Sequence, residues 1–317
     1  MKTRLIEYGR DGGIRLVERD IPEPGPGELQ VEGGICGICS WDIAMVKGKG
    51  AFRVPAPPGH EAVGYVRRIG PGVTAFREGD RVTGGGFATL RNIPADGAYK
   101  LPESDLPIEY WVVEPVACIV TGLDHCRLKA GDRVVVVGCG FMGLLLIQGL
   151  VHSYAGAVIG IDVVESRLEL ARGFGVEETY DLGRGKGAAN REELVTRLKS
   201  REIDVVVDTS GSQAGLDLST DICRRGGIIN LFGWMKGAAA TFDPSKWHGG
   251  GFTVVNSSPS SKIRDTFPPA IDLIHEGVID PRPLVTHVVP LEEYAGLMDR
   301  VIAGDESYVK GVVRLEG

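Results

Sequence analysis

The stretch Asp132-Arg133-Val134-Val135-Val136-Val137-Gly138-Cys139-Gly140-Phe141-Met142-Gly143 constrains the fold more than any other part of the chain. Four consecutive valines put β-branched side chains on both faces of an extended segment, which suits a strand covered on both sides. The glycine step after them fits G-x-G-x-x-G, and the apolar run from Phe141 to about Tyr154 continues as a helix. Strand, tight turn and helix in that order predict a parallel, doubly wound α/β sheet. Four more buried-strand runs extend it: Ala157–Asp162, Ile203–Asp208, Gly227–Phe232 and Phe252–Asn256. Ser166 to Phe174 has a helical pattern, with Leu168, Leu170 and Ala171 on its apolar side.

The glycine step has a specific physical reading. Gly138 permits the tight turn, Gly140 leaves room for a pyrophosphate against the backbone, and Gly143 lets the helix approach the strand. Phe141 and Met142 open that helix, whose free N–H groups and positive dipole end face the phosphates. Asp162 ends the second strand, 24 residues after Gly138. A carboxylate there accepts hydrogen bonds from ribose hydroxyls and repels a 2′-phosphate, which predicts NAD over NADP. Its competing role is a helix cap. Arg167, a turn further on, is read as a ribose-edge or surface residue.

Residues 1 to about 115 have a different character. Short strand-like runs such as Gly64–Gly70 and Arg81–Thr83 alternate with turn signals, among them Pro22-Glu23-Pro24-Gly25-Pro26-Gly27 and Pro71-Gly72. The last 60 residues are read as one helix, Ile263 to Glu276, followed by strands at Leu284–Val289 and Val309–Leu315. A net charge of −7 without a basic block argues against a nucleic-acid partner. No apolar run reaches the roughly 18 residues of a membrane span, and Met1 to Glu7 contains no signal core. A cytoplasmic protein with no membrane partner is expected. The six cysteines are then read as reduced thiols, one or more of them binding metal.

Cys39, His60, Glu61 and Glu114 are the candidate metal ligands. Zinc takes thiolate, imidazole and carboxylate donors, and a catalytic site keeps one position open. Adjacent His60 and Glu61 can face one ion only where the backbone is irregular, as Pro57-Pro58-Gly59 would make it. Cys36-x-x-Cys39 could also be a redox motif or half of a zinc knuckle. The first needs a thioredoxin-like βαβ context, and the second needs another closely spaced cysteine pair.

These motifs together resemble the medium-chain zinc-dependent alcohol dehydrogenases, in particular the sorbitol and threonine dehydrogenase branch. Gly59-His60-Glu61-x-x-Gly64-x5-Gly70-x-x-Val73 is similar to the zinc signature of that family, and Cys36-Gly37-Ile38-Cys39-x-x-Asp42 with Gly48 resembles its first-ligand segment. The match to Asp42 and Gly48 selects Cys39 over Cys36. Glu114-Pro115 looks like the acidic step of polyol dehydrogenases, and Lys310-Gly311-Val312-Val313 like the closing strand. The resemblance implies a β-rich, GroES-like zinc-binding domain at 1–117 and 258–317 and a Rossmann NAD-binding domain at 118–257. It also implies a homodimer or homotetramer, and hydride transfer between NAD and a secondary alcohol such as a polyol, sugar, cyclitol or amino alcohol.

The sequence departs from the family in two places. The lobe of four clustered cysteines that holds a structural zinc is missing between Val82 and Phe87, which implies one zinc per subunit. Trp41 stands where the family carries a Ser or Thr that relays the substrate proton. Indole N–H only donates, and Ser40 would point elsewhere on an extended segment. The proton is left with zinc-bound water, Glu61, a cofactor ribose hydroxyl or Ser40, while Trp41 forms a pocket wall or packs at a domain junction. Two other readings stay open: a zinc-free NAD(P)H reductase of enones or quinones, and a catalytically silent NAD-binding protein.

Overall fold

The structure is a computed structural model that describes every residue except 10–12, 49–57, 184, 186, 234–238 and 317. The chain divides into two compact units. One comprises residues 1–116, 270–275 and 281–317, and the other 117–269 and 276–280.

The first unit begins with an antiparallel pair, β1 (Lys2–Tyr8) and β2 (Ile14–Asp20). Next come β3 (Glu28–Gly37), the short helix α1 (Ser40–Val46), β4 (Glu61–Ile69), β5 (Arg81–Thr83) and β6 (Leu90–Pro94). Helix α2 (Val113–Cys126) leads into the second unit. There β7 (Arg133–Val137), α3 (Phe141–Val151), β8 (Ala157–Asp162), α4 (Glu165–Gly173), β9 (Glu178–Asp181) and α5 (Arg191–Ser200) alternate. The alternation continues with β10 (Ile203–Asp208), α6 (Gln213–Ile222), β11 (Cys223–Leu231), α7 (Pro244–Gly250), β12 (Thr253–Asn256) and α8 (Phe267–His275). The chain ends with β13 (Val285–Pro290), α9 (Tyr294–Ala303) and β14 (Lys310–Arg314).

The second unit is the expected doubly wound sheet. Its six strands run in the order β12-β11-β10-β7-β8-β9, and every neighbouring pair is parallel. Val135, Val137, Ile159, Val206 and Ile229 form its core with Leu194, Leu198 and Leu218 from the covering helices. Each such side chain contributes roughly 1.5–3 kcal/mol by leaving water.

The first unit carries a mixed sheet ordered β13-β14-β3-β4-β5, with β6 also paired to β3. Only β13 and β14 are parallel; the other pairs are antiparallel. Gly33 and Gly34, both at positive φ, form a bulge between β3 and β4. The mixed GroES-like and Rossmann architecture agrees with the sequence reading.

Three local expectations need correction. The segment after Cys39 is helical, not extended, because Asp42 caps α1 by accepting the Cys39 N–H at 2.9 Å. The last 60 residues contain a second helix, α9, missed because its apolar positions are broken by Gly296, Asp299 and Arg300. Helix α2 was also missed, since Pro115 in its first turn reads as a breaker although that position tolerates proline. Among the described residues, no helix is long and apolar enough to cross a membrane.

Gly70 and Gly72 are glycine for different reasons. A Cβ on Gly70 would lie 1.9 Å from Gly25 O, whereas one on Gly72 meets nothing but sits at φ 83°. Gly70→Ala is expected to cost roughly 3 kcal/mol through the clash. Gly72→Ala is expected to cost roughly 1 kcal/mol through left-handed backbone. Urea unfolding of both variants checks the order, and equal losses would contradict it.

Candidate metal centre and dinucleotide loop

Two strands bring the candidate ligands together. Antiparallel register sets Gly37, the last residue of β3, opposite Glu61, the first of β4. Cys39 follows two residues after the end of β3, and His60 directly precedes β4. Gly59, at φ 89°, supplies the irregular step that adjacent ligands need; Pro57 lies outside the described residues. A sulfur of Cys39, a ring nitrogen of His60 and a carboxylate oxygen of Glu61 all lie within 4.8 Å of one another. Cys39 is half-buried, His60 exposed and Glu61 buried. Glu114, in the first turn of α2, is not one of the three side chains whose donor atoms lie within 4.8 Å of one another. Cys36 is fully buried in the core, with burial holding its thiol well above the usual range.

Two residues that the sequence reading did not choose as site residues organise the cluster. The buried Asp42 accepts the Cys39 N–H on one oxygen and the Gly59 N–H, at 3.3 Å, on the other. One carboxylate thus ties both ligand-bearing segments together. Burial pushes Asp42 up to about 6.

Lys310, the first residue of β14, donates to Glu61 Oε2 at 2.5 Å and to Ile38 O at 2.9 Å. Both charged side chains of the pair are buried. Gly37 leaves space for them: a Cβ there would sit 2.1 Å from Glu61 Oε2. Burial alone would lower the Lys310 ammonium, but the Glu61 carboxylate and Cys39 outweigh it, and the net shift is upward. Burial, reinforced by Glu61, pushes the Cys39 thiol up to about 12.

Trp41 is half-buried on α1 and stands edge-on to the His60 ring, with centroids 5.9 Å apart and planes at 89°. Ser40 is exposed at the start of the same helix.

In the second unit, the glycine loop has the geometry its motif implies. Gly138 sits at φ 97°, and a Cβ on Gly143 would lie 2.0 Å from Gly138 O. A Cβ on Gly140 would meet nothing, so the loop is open at that position. Phe141 and Met142, both half-buried, form the first turn of α3.

Asp162 is buried and accepts three backbone N–H groups: Cys139 at 2.5 Å, Val163 at 2.7 Å and Val164 at 2.9 Å. It therefore braces the loop directly. Thr209, not singled out in the sequence, bonds the Gly138 carbonyl from the end of β10. Arg167 is half-buried on α4. Of the other histidines, His125 bonds Ser257, His152 bonds Gln148 O, His275 stacks on Trp111 and His287 approaches Asp305.

Two family models match the chain: an alcohol dehydrogenase GroES-like domain at residues 25–103 and a zinc-binding dehydrogenase at residues 142–276. The chain is 28% identical to D-arabinitol dehydrogenase 1 of Uromyces fabae, with 93% of each covered. It is 29% identical to a sorbitol dehydrogenase of Gallus gallus, covering 90% of this chain and 89% of that one.

Its fold is that of 2R,3R-butanediol dehydrogenase from Bacillus subtilis, with a TM-score of 0.87 at 24% identity over 98% and 99% of the two chains. The same fold occurs in an Escherichia coli alcohol dehydrogenase complexed with NADH, with a TM-score of 0.87 at 23% identity over 98% and 99%. It also occurs in a Sinorhizobium meliloti zinc-binding dehydrogenase bound to NADP, with a TM-score of 0.86 at 24% identity over 99% of each chain.

Lys310→Met would leave the Glu61 carboxylate buried without its cation. In metal-free protein this is expected to cost roughly 3–5 kcal/mol. Replacing both members, as Glu61→Leu with Lys310→Met, is expected to recover most of the loss. Denaturant midpoints of the single and double variants measure this, and a single variant as stable as the parent would contradict the pairing.

Proposed function

The chain belongs to the zinc-type medium-chain alcohol dehydrogenases, and on that footing we propose that it transfers a hydride between NAD and a secondary alcohol of the polyol or sugar class at one zinc ion. The observation that carries this reading is the convergence of a thiol, an imidazole and a carboxylate within 4.8 Å. Those are zinc donors, and three of them leave a fourth position for an alcohol oxygen. The donor set also fits electrostatically. Burial and the Glu61 carboxylate hold the Cys39 thiol above its usual range, and a divalent cation bound there would supply the charge a thiolate ligand needs. The substrate class follows from the arabinitol and sorbitol dehydrogenases among the relatives.

When bound, zinc supplies a Lewis acid that lowers the pKa of the alcohol oxygen, and nicotinamide supplies the hydride acceptor. The protein's own residues do the rest. Cys39, His60 and Glu61 hold the ion, and Asp42 fixes the spacing of the two segments they come from. Lys310 holds Glu61 Oε2 so that the carboxylate cannot swing out. Trp41 restrains the His60 ring edge-on and offers an apolar face for the carbinol C–H side. Its N–H cannot accept the alcohol proton, and Ser40 is exposed. The alcohol proton is then left to Glu61, to water or to a cofactor ribose hydroxyl. In the second unit the α3 N-terminus and the open side of Gly140 would take the pyrophosphate. Asp162 would take the ribose with the lone pairs its three backbone bonds leave.

Zinc analysis of purified protein, paired with NAD reduction on a panel of polyols, sugars and amino alcohols, tests the reading. About one zinc per chain and turnover of at least one panel member are expected. Protein purified without zinc would sink it, and zinc without turnover would favour a silent NAD-binding role. Cys39→Ser is expected to weaken zinc at least about tenfold more than Cys36→Ser, and equal losses would overturn the ligand assignment.

Asp162→Ala is expected to narrow the preference for NAD over NADP. Because the same side chain braces the loop, the ratio of kcat/KM for the two cofactors is the quantity to compare. An unchanged ratio would refute the ribose role.

A further inference from the structure

We infer that Arg91 is a positioning residue for the metal centre, its buried guanidinium fixing a glycine bend on which the His60–Glu61 step rests. The inference builds on the zinc reading above and goes beyond its ligands.

Between β5 and β6 the chain passes through Gly84-Gly85-Gly86-Phe87-Ala88-Thr89, and this bend touches the ligand step on both sides. Gly84 N donates to Ala62 O at 2.7 Å, and Phe87 N to Pro58 O at 3.2 Å. A Cβ on Gly86 would lie 2.4 Å from Pro58 O and 2.7 Å from Gly59 O. One on Gly59 would lie 2.7 Å from the Phe87 ring. Residues 58, 59 and 62 flank the two ligands, so the position of the bend sets theirs. Yet three successive glycines, two of them at positive φ, are the least self-ordering sequence a chain can offer.

Arg91 supplies the missing order. It donates from Nε to Gly84 O at 2.9 Å, and from Nη1 to Gly33 O at 3.1 Å and Ala88 O at 3.2 Å. The three acceptors are the start of the bend, its end and the bulge of β3 next to it. The surrounding glycines make the room: a Cβ on Gly85 would meet Arg91 Cδ at 2.3 Å, and one on Gly64 would meet Nη2 at 2.5 Å.

Among the described residues Arg91 makes no ion pair, and its buried Nη2 has no hydrogen-bond partner. Burial lowers it to about 10, so it stays charged at neutral pH. A buried cation without a carboxylate is a costly way to fill space. Its planar fork, however, spans three carbonyls from separate segments, which an apolar side chain cannot do. The site thus has an outer support made of charge and backbone.

The test is release of zinc from the purified holoprotein to an excess of a chromogenic chelator, followed well below the melting temperature. Arg91→Lys keeps the charge but loses the fork. It is expected to release zinc about tenfold faster or more, the usual cost of removing support behind a ligand. Leu29→Ala, a core truncation in β3 at a residue that makes no hydrogen bond to the bend, serves as the control for general destabilisation and is expected to release at the parental rate. Gly86→Ala leaves Arg91 in place but drives a methyl toward Pro58 O, and it is expected to match the acceleration of Arg91→Lys. Parental release from both Arg91→Lys and Gly86→Ala would overturn the inference. Equal acceleration in Leu29→Ala would overturn it too, because general loosening would then suffice. Parent protein that binds no zinc would instead defeat the zinc reading itself.

Discussion

The buried pair between Glu61 and Lys310 is the interaction on which the first unit's site depends. It joins the start of β4 to the start of β14 across the end of β3, and Lys310 also holds the carbonyl next to Cys39. A buried ion pair seldom adds net stability over apolar packing. Its value here is positional: residues 249 apart in sequence are held at one point. Gly37 is part of the same device, since any side chain there would occupy the carboxylate's place.

The second unit solves a related problem with almost no charge. Its glycine loop is braced by Asp162 through backbone N–H groups and by Thr209 through a carbonyl. Gly143 closes the helix onto the turn while Gly140 keeps the loop open. An anion meeting such a loop finds oriented amides and a helix dipole with no side chain to displace. The cost is that Asp162 serves two ends. The ribose contact proposed for Asp162 would fall on the carboxylate that already holds three backbone N–H groups of the loop, so the two properties could not be changed independently there.

The sequence makes the second unit legible because a run of valines and a glycine step are local patterns with one physical solution. The identities of Cys39, His60 and Glu61 were likewise readable, since their residue types and neighbouring glycines carry the chemistry. The supports were harder to see. Lys310 is one lysine in a closing strand until β14 pairs with β3. Arg91 looks like a surface charge in an alternating strand until the glycines around it are seen to make room. Asp42 was visible only as part of a motif, because its role lies in bonds to residues 3 and 17 positions away. Contacts between distant segments decide Lys310 and Arg91, and the second bond of Asp42, to Gly59, is likewise beyond any local period. Glu114 shows the converse. Its type and its proline neighbour suggest a ligand, whereas the tight donor cluster is made by Cys39, His60 and Glu61.

The charge balance of the centre argues for its occupant independently of motifs. Within one small region lie Glu61, Asp42 and the Cys39 thiol, with Lys310 as the buried cation paired among them. Burial raises both Asp42 and Cys39, and Glu61 adds to both shifts. Burial, the larger cause of both shifts, disfavours negative charge on these two groups. Further lysines could balance the charge but would bring their own desolvation cost. A divalent cation held by Cys39, His60 and Glu61 would supply positive charge there instead. Solvent reaches the cluster on the His60 side, while Asp42, Glu61 and Lys310 close the other. On that exposed side the Trp41 ring stands edge-on to His60 and also packs against the core of the first unit.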